Sequence, residues 1–337
     1  MVNKIDFVIP WVDGNDSAWV AEKSKYLGQD FDPVLNGVTR YRDWNILKYW
    51  FRAVEKFAPW VNRVFFVTCG QVPDFLNLEH PKLRFVQHKE YIPSQWLPTF
   101  SANPIELNLH RIPDLSEQFV YFNDDMFVVA PTEPEDFFQH GLPCDQGVLG
   151  LLTPWKGDTP AAFHWIVNDI YYINRHFNKK DVIEKHQDKW FNPLYGSLQE
   201  RTDRLMYWNC FTGFYTPHIQ QSFLKSTFNK VWAAEPKVLE ETSSHRFRNS
   251  LDVNQYLLRY WQLASGDFAP YPKSGQFYNL QSNSVSFIQK DIQTKGYKTA
   301  CLNDGYDAIS EVQFLNTCTE LQAWLDALLP EKSSFER

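Results

Sequence analysis

The stretch VYFNDDMFVV, residues 120–129, sets two adjacent aspartates, Asp124 and Asp125, between two apolar runs. A carboxylate at the edge of a core is costly unless it is hydrogen-bonded, paired or bound to a cation. A turn and a metal site both meet that requirement, because short polar side chains also bond their own backbone in turns. The surrounding sequence has to choose between them.

Upstream, KIDFVIPWV (4–12) is a short apolar segment closed by a Gly-Asn turn and reads as a buried first strand. DWNILKYWFRAVEKFAPW (43–60) places Leu47, Trp50, Phe51, Val54 and Phe57 on one helical face and stops at Pro59. NRVFFVT then reads as a strand, LRFVQ as a strand, NPIELNLHRI as a helix, and QFVYF as a strand that runs into the aspartates. Strand and helix in alternation imply an α/β fold with a mostly parallel sheet. Ligands bind beyond the carboxyl ends of such strands, where Asp124 and Asp125 fall, and this favours the metal reading.

From about residue 150 the pattern turns helical: TPAAFHWIVNDIYYINRHF (159–177), QQSFLKSTFNKVW (220–232) and, after the basic SHRFR, DVNQYLLRYWQLA (252–264). Residues 265–284, with Gly266, Pro270, Pro272 and Gly275, read as a long loop or lid, and YKTACLNDGYD as a late strand with a turn. The expected organisation is an α/β core over 1–150 and a helical, loop-rich part over 151–337 that completes the same catalytic unit.

Composition limits the partners. A formal charge of −7 speaks against a nucleic-acid backbone or an anionic bilayer as the main ligand, since both attract basic surfaces. Five cysteines without a CxxC pair read as reduced thiols, so the expected location is cytoplasmic. No run of about 18 uncharged apolar residues signals a membrane span. The 27 Phe, 16 Tyr and 13 Trp serve the core first, though aromatic faces also suit sugars and bases.

Four ordered blocks, IDFVIPWVDGNDSAW (5–19), residues 40–127, residues 218–263 and CLNDG (301–305), together resemble the Stealth family of sugar-phosphate transferases. That family includes bacterial capsule polymerases and the catalytic subunit of the lysosomal-enzyme GlcNAc-1-phosphotransferase. The resemblance implies a nucleotide-diphosphate-sugar-binding core of GT-A or Rossmann-like type over 1–150, a nucleotide-sugar donor, a divalent cation, a glycan hydroxyl as acceptor, transfer of the sugar together with its phosphate, and peripheral association with a polysaccharide assembly complex at the inner face of the membrane. It sets the family's essential acid in the first block on Asp6, the paired acids on Asp124 and Asp125, the essential histidine on His218 and the essential arginine on Arg248. One position departs from it. Members often carry proline two residues after the histidine, where this chain has Gln220.

Transfer to phosphorus accumulates negative charge, which a divalent cation bridging the diphosphate would neutralise; hard oxygen ligands select Mg2+ or Mn2+. Asp125 is the expected ligand and Asp124 a ligand or its neighbour, since successive strand residues face opposite ways. An imidazole such as His218 can take the acceptor proton, and a phosphohistidine intermediate remains the alternative. Arg248 is the expected phosphate clamp, because a planar fork of donors matches phosphate oxygens. Arg246 reads more simply as a surface partner of Asp252, Glu240 or Glu241. Asp252 and Asn254 either bond the arginine or sugar or cap the next helix. Asp6 inside a strand is either bonded to backbone amides or turned toward the nucleotide. Trp11, Asp13 and Gly14 follow that strand as candidate base, ribose or sugar contacts, and Asn303 with Asp304 either line the same pocket or form a turn. Two rivals stand beside phosphate transfer: a GT-A glycosyltransferase that attacks the anomeric carbon and releases the nucleoside diphosphate, and a non-catalytic carbohydrate-binding homologue.

Overall fold

Residues Ile5–Pro10 (β1), Val64–Thr68 (β2), Leu83–Gln87 (β3) and Gln118–Tyr121 (β4) form the parallel centre of the main sheet in the order β3-β2-β1-β4. This computed structural model describes residues 4–28, 32, 35–37, 41–153, 161–305 and 309–337. β1, β2 and β4 are buried along nearly their whole length, which is why they read as continuous apolar runs rather than as alternating ones.

The two faces of the sheet hold separate cores. Phe7, Ile9, Phe66 and Val120 point to one side, against helix Leu47–Phe57 (α2, following α1 at Ser17–Ser24) and Leu321 and Leu325 of the helix Glu311–Leu328. Val8, Phe65, Val67 and Phe119 point to the other, against Leu107 of helix Ala102–Leu107 (α3) and against the helices Lys225–Ala234 and Gln255–Ser265. The predicted face of α2 is the buried one. The expected helix over 103–112 is instead α3 followed by a 3-10 turn, Leu109–Arg111, because Asn108 turns back to bond the Pro104 carbonyl and Ser243.

The chain leaves the main sheet at the acidic pair. Met126–Val128 (β5) pairs antiparallel with a strand of a second sheet, and Met126 N–H bonds Asn123 O at 3.0 Å, so the acids also occupy a turn. Phe138–Gln139 (β6) and Leu142–Asp145 (β7) follow, then helix Ala161–His176 (α4). Residues 159 and 160, at the start of that expected helix, lie outside the described residues.

The second half is not purely helical. Gln221–Leu224 (β8), expected as the start of a helix, is a strand that closes the edge of the main sheet antiparallel to β4, and the helix begins only at Lys225. An open sheet edge carries unpaired amide and carbonyl groups, and pairing them outweighs a four-residue helical preference. Within the expected loop 265–284 lie Ala269–Pro270 (β9), paired with β7, and Gly275–Asn279 (β10). β10 runs parallel to Thr299–Asn303 (β11), the late strand anticipated from sequence, and β11 pairs with β5. Strands from the second half therefore complete sheets begun by the first.

Candidate active site

β1 has β2 on one side and β4 on the other, so sheet order reverses at β1 and the loops leaving β1 and β4 diverge. A crevice opens at such a switch point. Here it is a cleft between Trp11 after β1, Asp124 after β4, Glu106 of α3 and Arg248. Trp19 and Tyr41 add an aromatic wall, their rings 5.1 Å apart.

Asp124 is open to solvent in the cleft, yet protein crowds round it. That crowding, then the charge of Asp125 and then that of Asp43, raises its pKa to about 7. Burial and the charge of Asp13 raise Asp43 in turn, while a hydrogen bond from Trp11 opposes them. Carboxylates that suppress one another's ionisation mark a place where a cation would be stabilised.

Asp125 faces away from that wall. One of its oxygens accepts from Asn303 Nδ2 at 2.9 Å, and the other is buried with no hydrogen-bond partner among the described residues. A ligand atom each from Asp125, His218 and Cys301 lie within 4.8 Å of one another. The Cys301 thiol is held well above its usual pKa by burial and then by Asp125, so it stays protonated. His218 Nδ1 is 2.7 Å from the Tyr256 hydroxyl. Its backbone has φ 48°, a left-handed conformation that a β-carbon makes unfavourable by about 1–3 kcal/mol. No helix starts there, contrary to expectation; the residue lies in the approach to β8.

Arg248 is set by its loop. Its amide bonds Asn36 Oδ1 at 3.0 Å, and its carbonyl receives Asn36 Nδ2 at 3.3 Å. Fully buried Asp252 ties the same loop down by accepting from Asn103 Nδ2 (2.9 Å), Asn249 N (3.0 Å) and His245 Nδ1 (2.6 Å). The bond to Asp252 raises the His245 pKa. Asn254 caps the next helix, accepting from Tyr256 N at 2.9 Å, so of the two readings capping is the one the geometry shows. Arg246 lies over the Tyr26 ring, 4.9 Å from its centroid, rather than on an acidic neighbour, because its backbone carbonyl is drawn to Phe100 N.

Other expected residues are placed elsewhere. Asp6 sits near the amino end of β1, opposite the cleft, where its oxygens accept from Asn62 Nδ2 (2.6 Å) and Ser116 N (2.8 Å); it holds strand ends together and does not reach the site. Asp13 bonds locally to Asn15 N, and its amide goes to Gln71. Gly14 is a packing glycine, since a β-carbon there would lie 2.1 Å from Tyr41 O. Asp304 pairs with Arg42 through Nε at 2.7 Å and fixes the segment carrying Asp43.

Sequence reading passed over three groups. Asp43 lies within DWN, ahead of α2, where the helical pattern drew attention to the residues after it. Lys23 is depressed to about 8 by burial and then by Arg248, which makes it a second cation on that side. Glu106 is buried in the cleft wall with its pKa raised to about 7, chiefly by desolvation. The Tyr121 hydroxyl lies 2.6 Å from Glu106 Oε1 and 2.5 Å from Asn123 Oδ1. One hydroxyl proton cannot serve two acceptors, and a protonated Glu106 supplies the second.

Residues 3–30 match Stealth protein CR1, conserved region 1, and residues 40–144 match Stealth protein CR2, conserved region 2. The receptor polysaccharide phosphotransferase WefC of Streptococcus oralis is 44% identical over 99% of this chain and 100% of its own. The capsular polysaccharide phosphotransferase WcwK of Streptococcus pneumoniae is 41% identical over 100% and 99%. The exopolysaccharide phosphotransferase cps2G of Lactiplantibacillus plantarum is 40% identical over 99% and 96%. The solved apo-form glycosyltransferase GlyE of Streptococcus pneumoniae TIGR4 superposes over 98% of this chain and 66% of that one, with a TM-score of 0.37 at 8% identity, too loosely to carry an argument.

Proposed function

The chain belongs to the Stealth family of polysaccharide phosphotransferases, and from that premise we propose that it moves a sugar 1-phosphate from a nucleotide-diphosphate sugar, a UDP-sugar, to a hydroxyl of a glycan. It is a transferase of capsular or extracellular polysaccharide synthesis. Among the described residues no helix is long and apolar enough to cross a membrane.

What supports this reading is that Asp124 and Arg248 line one cleft at the switch point, while the next residue, Asp125, lies within 4.8 Å of His218 and Cys301 by their ligand atoms. Arg248 and Lys23 supply positive charge for the diphosphate, and the aromatic wall of Trp11, Trp19 and Tyr41 offers flat surface for a base or sugar. The acceptor hydroxyl loses its proton to His218 and its oxygen forms a bond to the β-phosphorus. The bond from that phosphorus to the oxygen bridging the α-phosphate breaks, and the nucleoside monophosphate leaves with the electron pair.

The residues fit a divalent cation through their carboxylates. Asp125 has a buried oxygen without a hydrogen-bond partner, and Asp124 and Asp43 crowd one wall, whereas the protonated Cys301 is a poor donor for a hard ion. Asp125 would hold Mg2+ or Mn2+, with Asp124 as a second ligand or a charge beside it, and the ion when bound would supply charge neutralisation at the diphosphate. Glu106, carrying its proton near neutrality, donates to Tyr121 or to a substrate oxygen and limits the negative charge of the cleft.

The identity of the released nucleotide tests the function. With a UDP-sugar and a glycan acceptor, UMP should appear stoichiometrically and phosphorus NMR should show the donor's β-phosphorus in a phosphodiester. Release of UDP with a phosphate-free glycosidic bond would install a glycosyltransferase in its place.

A further inference from the structure

A second pocket, lined by His218, lies between β7, the start of β8 and the segment Tyr271–Ser274. We propose that this pocket is the acceptor subsite and takes one uncharged pyranose ring of the glycan. The proposal rests on the phosphate-transfer reading above and adds where the acceptor binds.

Three observations carry it. First, His218 lines the pocket, so a hydroxyl held there can reach the imidazole that the phosphate-transfer reading makes the base.

Second, the charges in the pocket are already neutralised. Arg259 forms a two-bonded pair with Asp145, at 2.7 Å through both Nε and Nη2, and spends Nη1 on Tyr215 O at 3.0 Å. Asp136 receives Lys298 Nζ at 2.6 Å on each oxygen, together with the Tyr271 hydroxyl. A phosphate would find no uncompensated cation in those pairs, whereas a neutral ligand with hydroxyls meets no net charge to oppose it.

Third, polar groups are left over. Gln146 Nε2 and Gln221 Oε1, on side chains only 6% exposed, and Gln220 Oε1 beside them have no hydrogen-bond partner among the described residues. Each leftover buried group costs about 1–3 kcal/mol unless something bonds it. An amide N–H donor beside two carbonyl acceptors complements vicinal hydroxyls, which both donate and accept. Tyr271 and Pro272 present apolar surface to a sugar's C–H face. Gln220, the position where this chain departs from the family's proline, is thereby part of the subsite.

The test is saturation-transfer NMR on the full chain with the methyl β-glycosides of glucose, galactose and N-acetylgalactosamine, each at millimolar concentration, and with UDP in parallel samples. At least one glycoside should give a signal that falls at least about fivefold in the Gln146→Leu/Gln220→Leu double variant, while UDP binding stays unchanged. Absence of signal from all three glycosides, a signal the double variant retains, or joint loss of glycoside and UDP would each overturn the proposal. UDP release in the transfer assay would sink phosphate transfer without touching this binding result, so the two failures are separable.

Discussion

Arg248 has its backbone held on both sides by Asn36 and lines the cleft beside Asp124. An ammonium in its place keeps the charge and loses the planar pair of donors, so Arg248→Lys should reduce kcat/KM by roughly 100-fold, about 2.7 kcal/mol of transition-state stabilisation. His218 lines the pocket proposed for the acceptor. Its replacement by Ala should abolish transfer while UDP still binds, as read by calorimetric titration; loss of UDP binding would move the histidine to the donor. Asp125→Asn keeps the bond to Asn303 and removes the charge, so activity should vanish with the melting temperature nearly unchanged. Excess chelator should do the same to the native enzyme, and activity restored by Mg2+ or Mn2+ would identify the ion; full activity in chelator would refute a cation requirement.

At the scale of elements, the cleft depends on close approach between segments far apart in sequence. Gly14, after β1, lies against Tyr41, and a β-carbon there would sit 2.1 Å from the Tyr41 carbonyl oxygen and 2.7 Å from its Cβ. Gly14→Ala should therefore push Tyr41 out of the aromatic wall, costing about 1–3 kcal/mol in stability and about tenfold in UDP affinity. Denaturant melts and UDP titration measure the two effects, and an unchanged affinity would show that the wall does not contact the nucleotide. The same dependence explains which elements could be read in advance. The face of α2 and the runs of β1, β2 and β4 were legible because burial on both sides of a parallel sheet imposes a strong local pattern. QSFL was not, since four residues with two apolar side chains suit a strand or a helix equally, and the vacant edge of β4 decided for strand. The short strands β9 and β10, in a stretch with two prolines and two glycines, depend in the same way on partners elsewhere in the chain.

For the molecule as a whole, acid stability is the measurable consequence of its apolar interior. His110 is buried between Phe228 and Trp232, at 5.6 and 5.8 Å, and burial, then the charges of Arg111 and Lys225, lower its pKa from 6.5 to about 3. Below pH 6.5 the unfolded chain takes up a proton that the folded chain refuses, so this residue's contribution falls as pH falls toward 3. The loss amounts to about 3 kcal/mol by pH 4. His110→Phe should flatten the difference in unfolding free energy between pH 7 and pH 4 by about that amount; an equally steep profile in the variant would show that the histidine is protonated in the fold.

The sequence by itself determined the alternating α/β core, the strand-end position of Asp124 and Asp125, and the family resemblance that full-length relatives confirm, because these follow from local pattern and short-range order. Only the tertiary structure decided which carboxylates converge. It set Asp6 at the far end of β1 beyond the reach of the cleft, turned Asp124 and Asp125 to different walls, and brought in Asp43, Lys23 and Glu106. The physical reason is that electrostatic and hydrogen-bonding partners act through space over a few ångströms, while residues that meet here, such as Asn36 and Arg248, lie 212 positions apart along the chain.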